Sequence, residues 1–69
     1  MKFSESLAKR MKENLETQYA LAKAINVEQS TVANWLNDRN KPRLEYIGRL
    51  AKHYGCSVDE IEKEVKQSD

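Results

Sequence analysis

Two short apolar periodicities on either side of a tight break, within residues 17–42, constrain the fold of this chain most strongly. In each segment, apolar residues recur at the spacing of one helical face. They are Leu21, Ala22 and Ile25 in the first segment, and Val32, Trp35 and Leu36 in the second. Asn26 stands between the segments, where asparagine tolerates the positive φ of a chain reversal, and Val27 is then expected to point inward. The pattern predicts two helices that share one core.

The outward face of the second segment carries small side chains without net charge. Gln29, Ser30, Ala33 and Asn34 lie outside its apolar stripe. Glutamine and asparagine amides can pair with base edges, adenine in particular, whereas plain solvation is the commonest role of such side chains. This face is therefore a candidate for DNA recognition, with ordinary solvated surface as the alternative.

The order of residues along this stretch resembles the lambda-repressor-like and Cro-like helix-turn-helix domains of phage and bacterial regulators. The resemblance extends over residues 3–62, nearly the whole chain. The positions that carry it are Gln18, Leu21, Ala22, Ile25, Val27, Gln29, Ser30, Thr31, Val32, Asn34, Trp35 and Pro42.

The chain departs from this family pattern at two places. Asn26 replaces the usual turn glycine, and Leu36-Asn37-Asp38 stands where the family commonly has a glutamate, any residue and a glycine. That glutamate usually pairs with an arginine of the first helix, here Arg10. The usual partner of Arg10 is therefore missing from the sequence at this position.

The resemblance implies a compact all-α domain of five helices that binds double-stranded operator DNA and regulates transcription as a Cro-like repressor. The residues expected to read bases are Gln29, Ser30, Asn34 and Thr31. For Thr31, a hydroxyl bonded back to its own helix is an equal alternative. The residues expected to contact phosphates are Gln18, Thr17, Asn37, Arg39, Asn40, Lys41 and Arg10. For Arg10, a solvated helix surface is the alternative.

Length and charge set the outer bounds. Sixty-nine residues predict one domain over residues 1–69, with the helix-turn-helix at about residues 17–37. The net charge of +1 does not by itself suggest nucleic acid. Residues 1–52, however, hold ten basic and six acidic side chains, whereas residues 53–69 hold two basic and five acidic ones. One end of the domain can therefore face phosphate while the other faces away.

The first three helices are predicted at residues 4–14, 18–25 and 29–37. Ser4 and Thr17 are the expected N-caps of the first two, and Glu28 is a weaker cap for the third. The buried face of the first helix is expected to comprise Leu7, Met11 and Leu15.

A fourth helix is expected after Pro42, ending at Gly55, and a fifth is expected to begin with a capping box of Ser57 and Glu60. The inward positions of the fourth helix are Leu44, Ile47, Leu50, Ala51 and Tyr54. In the fifth helix, Val58 and Ile61 are expected to close the core, and residues 66–69 are expected to fray.

No constellation for catalysis, metal or cofactor binding is found in the sequence. His53 and Cys56 are the sole histidine and cysteine, whereas a structural zinc site needs about four ligands. Cys56 is expected to be a half-buried packing residue. Trp35 lies on an apolar stripe and is expected in the core, whereas Tyr19 is left open between solvent and base stacking.

The sequence also predicts how the protein assembles on DNA and where in the cell it acts. A homodimer on DNA is predicted to use Val58, Ile61 and Val65, although Val65 is alternatively a plain exposed valine. The lone cysteine and the absence of a long apolar run predict a cytoplasmic protein, in the bacterial cytoplasm or nucleoid, with no membrane partner and no small-molecule ligand. The rival hypothesis is a non-enzymatic protein-interaction module, such as an antitoxin or adaptor, which the acidic Glu28 and Asp38 favour.

Overall fold

A computed structural model describes residues 2–67 as helices joined by short turns, and no strand occurs in that range. The helices are α1 (Phe3–Glu13), α2 (Gln18–Ile25), α3 (Gln29–Leu36), α4 (Leu44–Tyr54) and α5 (Val58–Lys66). Helix α2 packs against α3 and α4, α1 packs against α3 and α5, and α5 packs against α4. The expected all-α architecture of five helices is confirmed.

Local capping chemistry fixes both ends of α2 and the C-terminal end of α4, as predicted. The Thr17 hydroxyl accepts a hydrogen bond from the Ala20 N–H at 3.0 Å at the start of α2. Asn26 ends that helix in the left-handed conformation, with φ of 60°, and Gly55 ends α4 with φ of 69°. Val27 is half-buried and packs against the core.

The start of α1 differs from the prediction. Ser4 is not the N-cap: it is a buried residue inside the helix, and Lys2 occupies the cap position. The Glu5 carboxylate accepts a hydrogen bond from the Lys2 backbone N–H at 3.2 Å. The helix begins early because Phe3, only 3% exposed, is itself part of the core.

The α5 helix differs from its prediction at both ends. The Ser57 hydroxyl accepts from the Glu60 N–H at 3.1 Å, but the Glu60 carboxylate is directed to Arg10, so half of the capping box forms. At the other end, α5 continues to Lys66, and the Gln67 N–H donates to the Lys63 carbonyl at 2.9 Å. Ser68 and Asp69, where fraying was also predicted, lie outside the described residues.

Trp35 occupies the centre of the contact between α3 and its neighbours. It is 2% exposed, and its ring centroid lies 6.4 Å from that of Phe3 and 5.9 Å from that of Tyr46. Its expected place in the core is confirmed. The buried apolar residues around it are Phe3, Leu7, Met11, Leu21, Ala22, Ile25, Val32, Ile47, Leu50, Ala51 and Ile61.

Three apolar residues that were expected to point inward are exposed instead. Leu44 is 63% exposed and Val58 is 38% exposed, since each is the first residue of its helix, at the edge of the packed layer. Leu15 is 93% exposed because α1 ends at Glu13 and the chain reverses at once. In that reversal Leu15 adopts a φ of 55°, which is unfavourable for a side chain with a Cβ.

The left-handed backbone at Leu15 gives a direct test of this turn. We expect Leu15→Gly to be more stable than Leu15→Ala by about 1 kcal/mol, because alanine keeps the steric cost of the left-handed conformation. Urea unfolding of both variants measures the difference in the free energy of unfolding, provided that their m-values are equal. Little buried apolar surface is lost in either case, so an alanine variant as stable as the glycine variant would contradict the positive φ.

Candidate nucleic-acid interface

The outward face of α3 presents the polar side chains that were predicted to read bases. Gln29 and Ser30 are exposed in its first turn, and Asn34 is half-buried one turn later. Their side chains make no hydrogen bond to any other part of residues 2–67. Val32 and Trp35 anchor the opposite face of the helix in the core. The polar atoms of this face are therefore available to a ligand on a rigid support.

Glu28 places a carboxylate at the entrance to α3. It is the N-cap of that helix by its backbone dihedrals, but its side chain makes no cap hydrogen bond and is exposed. Glutamate is a poor N-cap compared with serine or aspartate, which is consistent with a side chain directed away from the helix. The carboxylate thus stands next to Gln29 as a further hydrogen-bond acceptor.

Thr31 lies on a different flank of α3 from Ser30, since successive residues are rotated by about 100° in a helix. It borders a surface groove of about 380 Å³ between α3 and the loop that leads to α4. The residues that line this groove are Thr31, Trp35, Asn40, Lys41, Arg43 and Tyr46. Thr31 thus lies beside residues that are expected to contact phosphates, and its expected role in base reading stays a prediction.

Arg43 was missed in the sequence and lies in this groove with Asn40 and Lys41. The signal was available, since Arg43 directly follows Pro42 in the basic run of residues 39–43. Arg43 is exposed and forms the N-cap position of α4 without a side-chain cap hydrogen bond. It adds a cation to the edge of the candidate interface.

The end of α3 is closed by local hydrogen bonds. The Asn37 amide donates to the Ala33 carbonyl at 2.9 Å, and the Arg39 N–H donates to the Asn34 carbonyl at 2.9 Å. Asp38 adopts a left-handed φ of 58° at the position where the family commonly has glycine. Asn37 therefore has part of its amide committed to its own helix, whereas Arg39 is exposed beyond it.

The start of α2 forms the other side of the candidate interface. Thr17 is exposed and Gln18 half-buried at the helix N-terminus, where backbone N–H groups and the positive end of the dipole attract anions. Tyr19 is 61% exposed, and the Lys23 Nζ lies 5.9 Å from the centre of its ring. Tyr19 therefore lies outside the core, next to the proposed phosphate contacts.

Arg10 does not belong to this interface, which corrects the prediction. Its guanidinium binds both carboxylate oxygens of Glu64, at 2.6 and 3.1 Å, and one oxygen of Glu60 at 3.2 Å. The Arg10 side chain is 17% exposed, and the hydrogen bond with Glu64 raises its pKa above the ordinary value. Helix α5 thus supplies the carboxylates that α3 lacks, and this pairing directs Arg10 to α5 rather than to phosphate.

The predicted dimer contact is also corrected in part. Ile61 is 1% exposed and belongs to the core, so it is unavailable to a second molecule. Val65 is half-buried and packs against the same core, whereas Val58 is exposed. Packing of α5 against α1 and α4 explains why Ile61 and Val65 are apolar without a dimer, whereas Val58 is left exposed.

Glu16 connects the loop between α1 and α2 to the end of α4. Its Oε1 accepts a hydrogen bond from the Tyr54 hydroxyl at 2.7 Å, and its Oε2 lies 2.5 Å from His53 Nε2. Burial, followed by the hydrogen bond to Glu16, raises the pKa of Tyr54 above its ordinary value. Cys56 is half-buried beyond this cluster, as predicted.

No three histidine, cysteine, aspartate or glutamate side chains within residues 2–67 are grouped to hold a metal ion. None of the helices described has the length and apolar character required to cross a membrane.

A helix pair joined by a left-handed asparagine, with a solvated polar face on the second helix, defines a helix-turn-helix domain. The chain belongs to the helix-turn-helix family of lambda-repressor-like and Cro-like proteins, whose family model matches residues 7–61. A crystal structure of a transcriptional regulator from Listeria innocua is similar to this chain, with 33% identity and a TM-score of 0.79. The match covers 87% of this chain and 56% of that protein. Comparison with curated proteins gives no match.

The Arg10 pairing yields a testable consequence. We expect Arg10→Ala to lower the free energy of unfolding by about 1–2 kcal/mol, between the values of exposed and buried ion pairs. Lys9→Ala is the matched control, since Lys9 is an exposed neighbour on the same helix and its loss should change stability by less than about 0.5 kcal/mol. An Arg10→Ala variant with parental stability in urea unfolding would show that the contact to α5 contributes nothing.

Proposed function

We propose that this non-enzymatic domain binds double-stranded DNA sequence-specifically and regulates transcription, as a repressor of the Cro type. The observation that carries the proposal is the outward face of α3, where Gln29, Ser30 and Asn34 are unengaged while Trp35 fixes the helix from behind. In this class of domain the second helix of the pair lies in the major groove and its N-terminal residues contact base edges. The similar Listeria regulator supports the regulatory role.

Phosphate contacts are proposed on both sides of α3. They would come from the start of α2 and from the loop after α3, so that the DNA backbone is held on either side of the major groove. The residues proposed are Thr17, Gln18, Asn37, Arg39, Asn40, Lys41 and Arg43, with Thr31 at the edge of the same groove. DNA binding would place the protein in the cytoplasm or nucleoid.

In this proposal, Glu28 contributes to the sequence specificity of DNA binding rather than to its affinity. Its carboxylate repels phosphate, but it can accept a hydrogen bond from the N4 amino group of cytosine in the major groove. A carboxylate at the entrance of the recognition helix would weaken binding to unrelated DNA and favour a site with a suitably placed cytosine. The near-neutral net charge of the chain is compatible with this role.

A homodimer on DNA remains part of the proposal. One short helix reads few base pairs, so selectivity increases when two recognition helices are placed about 34 Å apart on a pseudo-palindrome. With Ile61 buried, the contact would have to use the exposed Val58 and the rim of Val65 on α5. The number of chains bound per operator in sedimentation distinguishes a dimer from a monomer.

A protein-interaction module of the antitoxin or adaptor type is the second candidate. The exposed leucines Leu15 and Leu44 are the observation that favours it, since large exposed apolar side chains are candidates for protein contacts. Titration of the purified protein against DNA flanking its own gene, across a salt series, separates the two functions. Salt-independent or absent DNA binding would favour the protein-interaction module.

Base reading is tested on the outward face of α3. We expect Gln29→Ala and Asn34→Ala each to cost about 1–3 kcal/mol on the cognate operator and to relax the preference at one base pair. Lys63→Ala is the control, because Lys63 is an exposed residue of α5, and it should leave the preference unchanged. Unchanged discrimination among operator variants in both α3 mutants would reject these residues as readers.

Phosphate contact is tested by salt dependence. Each neutralised phosphate contributes about 0.9 to the slope of log affinity against log salt, so Arg39→Gln and Lys41→Gln should each flatten the slope by about that amount. Binding should weaken equally for cognate and unrelated DNA, because phosphate contacts carry no sequence information. Lys63→Gln serves as the charge-matched control, and a parental slope in Arg39→Gln would exclude that contact.

A further inference from the structure

The loop between α1 and α2 is held by one nearly buried carboxylate. The Glu16 side chain is 11% exposed, and each of its oxygens has a different partner on α4, Tyr54 and His53. Its backbone N–H donates to the Met11 carbonyl at 2.8 Å. Glu16 is therefore fixed to α1 by its backbone and to α4 by its side chain.

The residues on either side of Glu16 show what this attachment positions. Leu15 precedes it in the left-handed conformation, exposed and therefore without packing that would account for its backbone. Thr17 follows it and caps α2 through the Ala20 N–H. The Glu16 contacts to α4 therefore hold the chain between an unfavourable turn and the first cap residue of α2.

We propose that Glu16 is a positioning residue for DNA binding: through His53 and Tyr54 it holds the start of α2 against the DNA backbone, and protonation of His53 strengthens this hold. The DNA-binding part of this inference rests on the proposed function. The coupling between His53 and the start of α2 is a property of the protein itself and does not depend on DNA.

The chemistry of the cluster supports a response in the pH range where an ordinary histidine titrates. Neutral His53 can donate one hydrogen bond to Glu16 from Nε2, and protonation converts that contact into a charge-assisted pair, which is stronger. Tyr54 remains a neutral donor throughout this range because its pKa is raised. Of the two side-chain contacts to Glu16, the one from His53 is therefore the one that protonation of a histidine would strengthen.

Other charged groups lie near the cluster of Glu16, His53 and Tyr54. Arg49 and Lys52 of α4 line the same surface groove as His53, and the Glu16 carboxylate contacts its Nε2. From α2 the groove receives the uncharged Ala24, Ile25 and Asn26. On the far side, the charge of Arg10 acts on Tyr54 and is compensated by Glu60 and Glu64 of α5.

The first experiment measures the coupling without DNA. In a nuclear magnetic resonance titration from pH 8 to 5.5, the backbone amides of Gln18 and Ala20 should shift with the same midpoint as the His53 ring. In Glu16→Gln the ring should still titrate while these amides no longer follow it. Glu45→Gln is the matched control, because Glu45 is an exposed α4 carboxylate whose partner is Arg49, and it should behave as the parent.

The second experiment measures operator affinity over the same pH range. The extra charge of protonated His53 raises affinity for DNA in parent and Glu16→Gln alike, so their difference isolates the positioning effect. We expect the parent to gain about two- to fivefold more affinity than Glu16→Gln on acidification, the range produced by one exposed ion pair. Equal gains in both proteins would overturn the role in DNA binding.

The two experiments separate the inference from the proposed function. Amides that follow His53 in a protein without DNA affinity would support the coupling and reject the function. Amides that titrate identically in the parent and Glu16→Gln would reject the coupling, whatever the DNA result. If Glu16→Gln does not fold, His53→Gln retains the Tyr54 contact and should abolish the amide response, and persistence of that response would equally reject the coupling.

Discussion

The packing of Trp35 between α1 and α4 is the contact on which the rest of this structure depends. Its ring contacts Phe3 of α1 and Tyr46 of α4, so the short helix α3 is held by two aromatic neighbours from helices that are far apart in the sequence. A helix of eight residues is marginal in isolation and needs such tertiary contacts. With its inner face fixed, α3 can present an outer face whose composition is independent of stability.

Polar contacts between helices complement this aromatic packing around the periphery of the domain. Arg10 joins α1 to α5, Glu16 joins the first loop to α4, and Arg49 donates to the Ile25 and Asn26 carbonyls at 3.3 Å. The Arg49 contact satisfies the end of α2 from outside, which matters because carbonyls at a helix C-terminus lack partners within the helix. Each of these charged groups connects two segments of the chain. Such contacts matter in this domain because its core is small and contains few apolar side chains.

Helical periodicity and cap chemistry predicted most of the fold because both are local. Leu21, Ile25 and Val32 are buried and Asn26 is left-handed, as their spacing and chemistry indicated. Periodicity failed to predict burial at the helix ends. Leu15 and Leu44 fall at the spacing of the apolar face, but both lie outside the packed layer and are therefore exposed. The Arg10 contact was not predictable, since its partner Glu64 lies 54 residues away and depends on where α5 docks. The exposure of Gln29 and Ser30 agrees with the candidate site, whose contacts with DNA stay predictions.

The partner of Arg10 lies on α5 and not on α3. The ion pair that stabilises the scaffold is therefore separate from the helix that is proposed to read DNA. Leu36 stands where the related domains commonly carry the supporting glutamate, so α3 contributes no ion pair to the scaffold through this position. The recognition helix is then attached by apolar packing and backbone hydrogen bonds, and these do not depend on the identity of its outward side chains. Such a helix is modular: its outer surface can diverge, or be exchanged for that of another regulator, while the remaining helices are left unchanged.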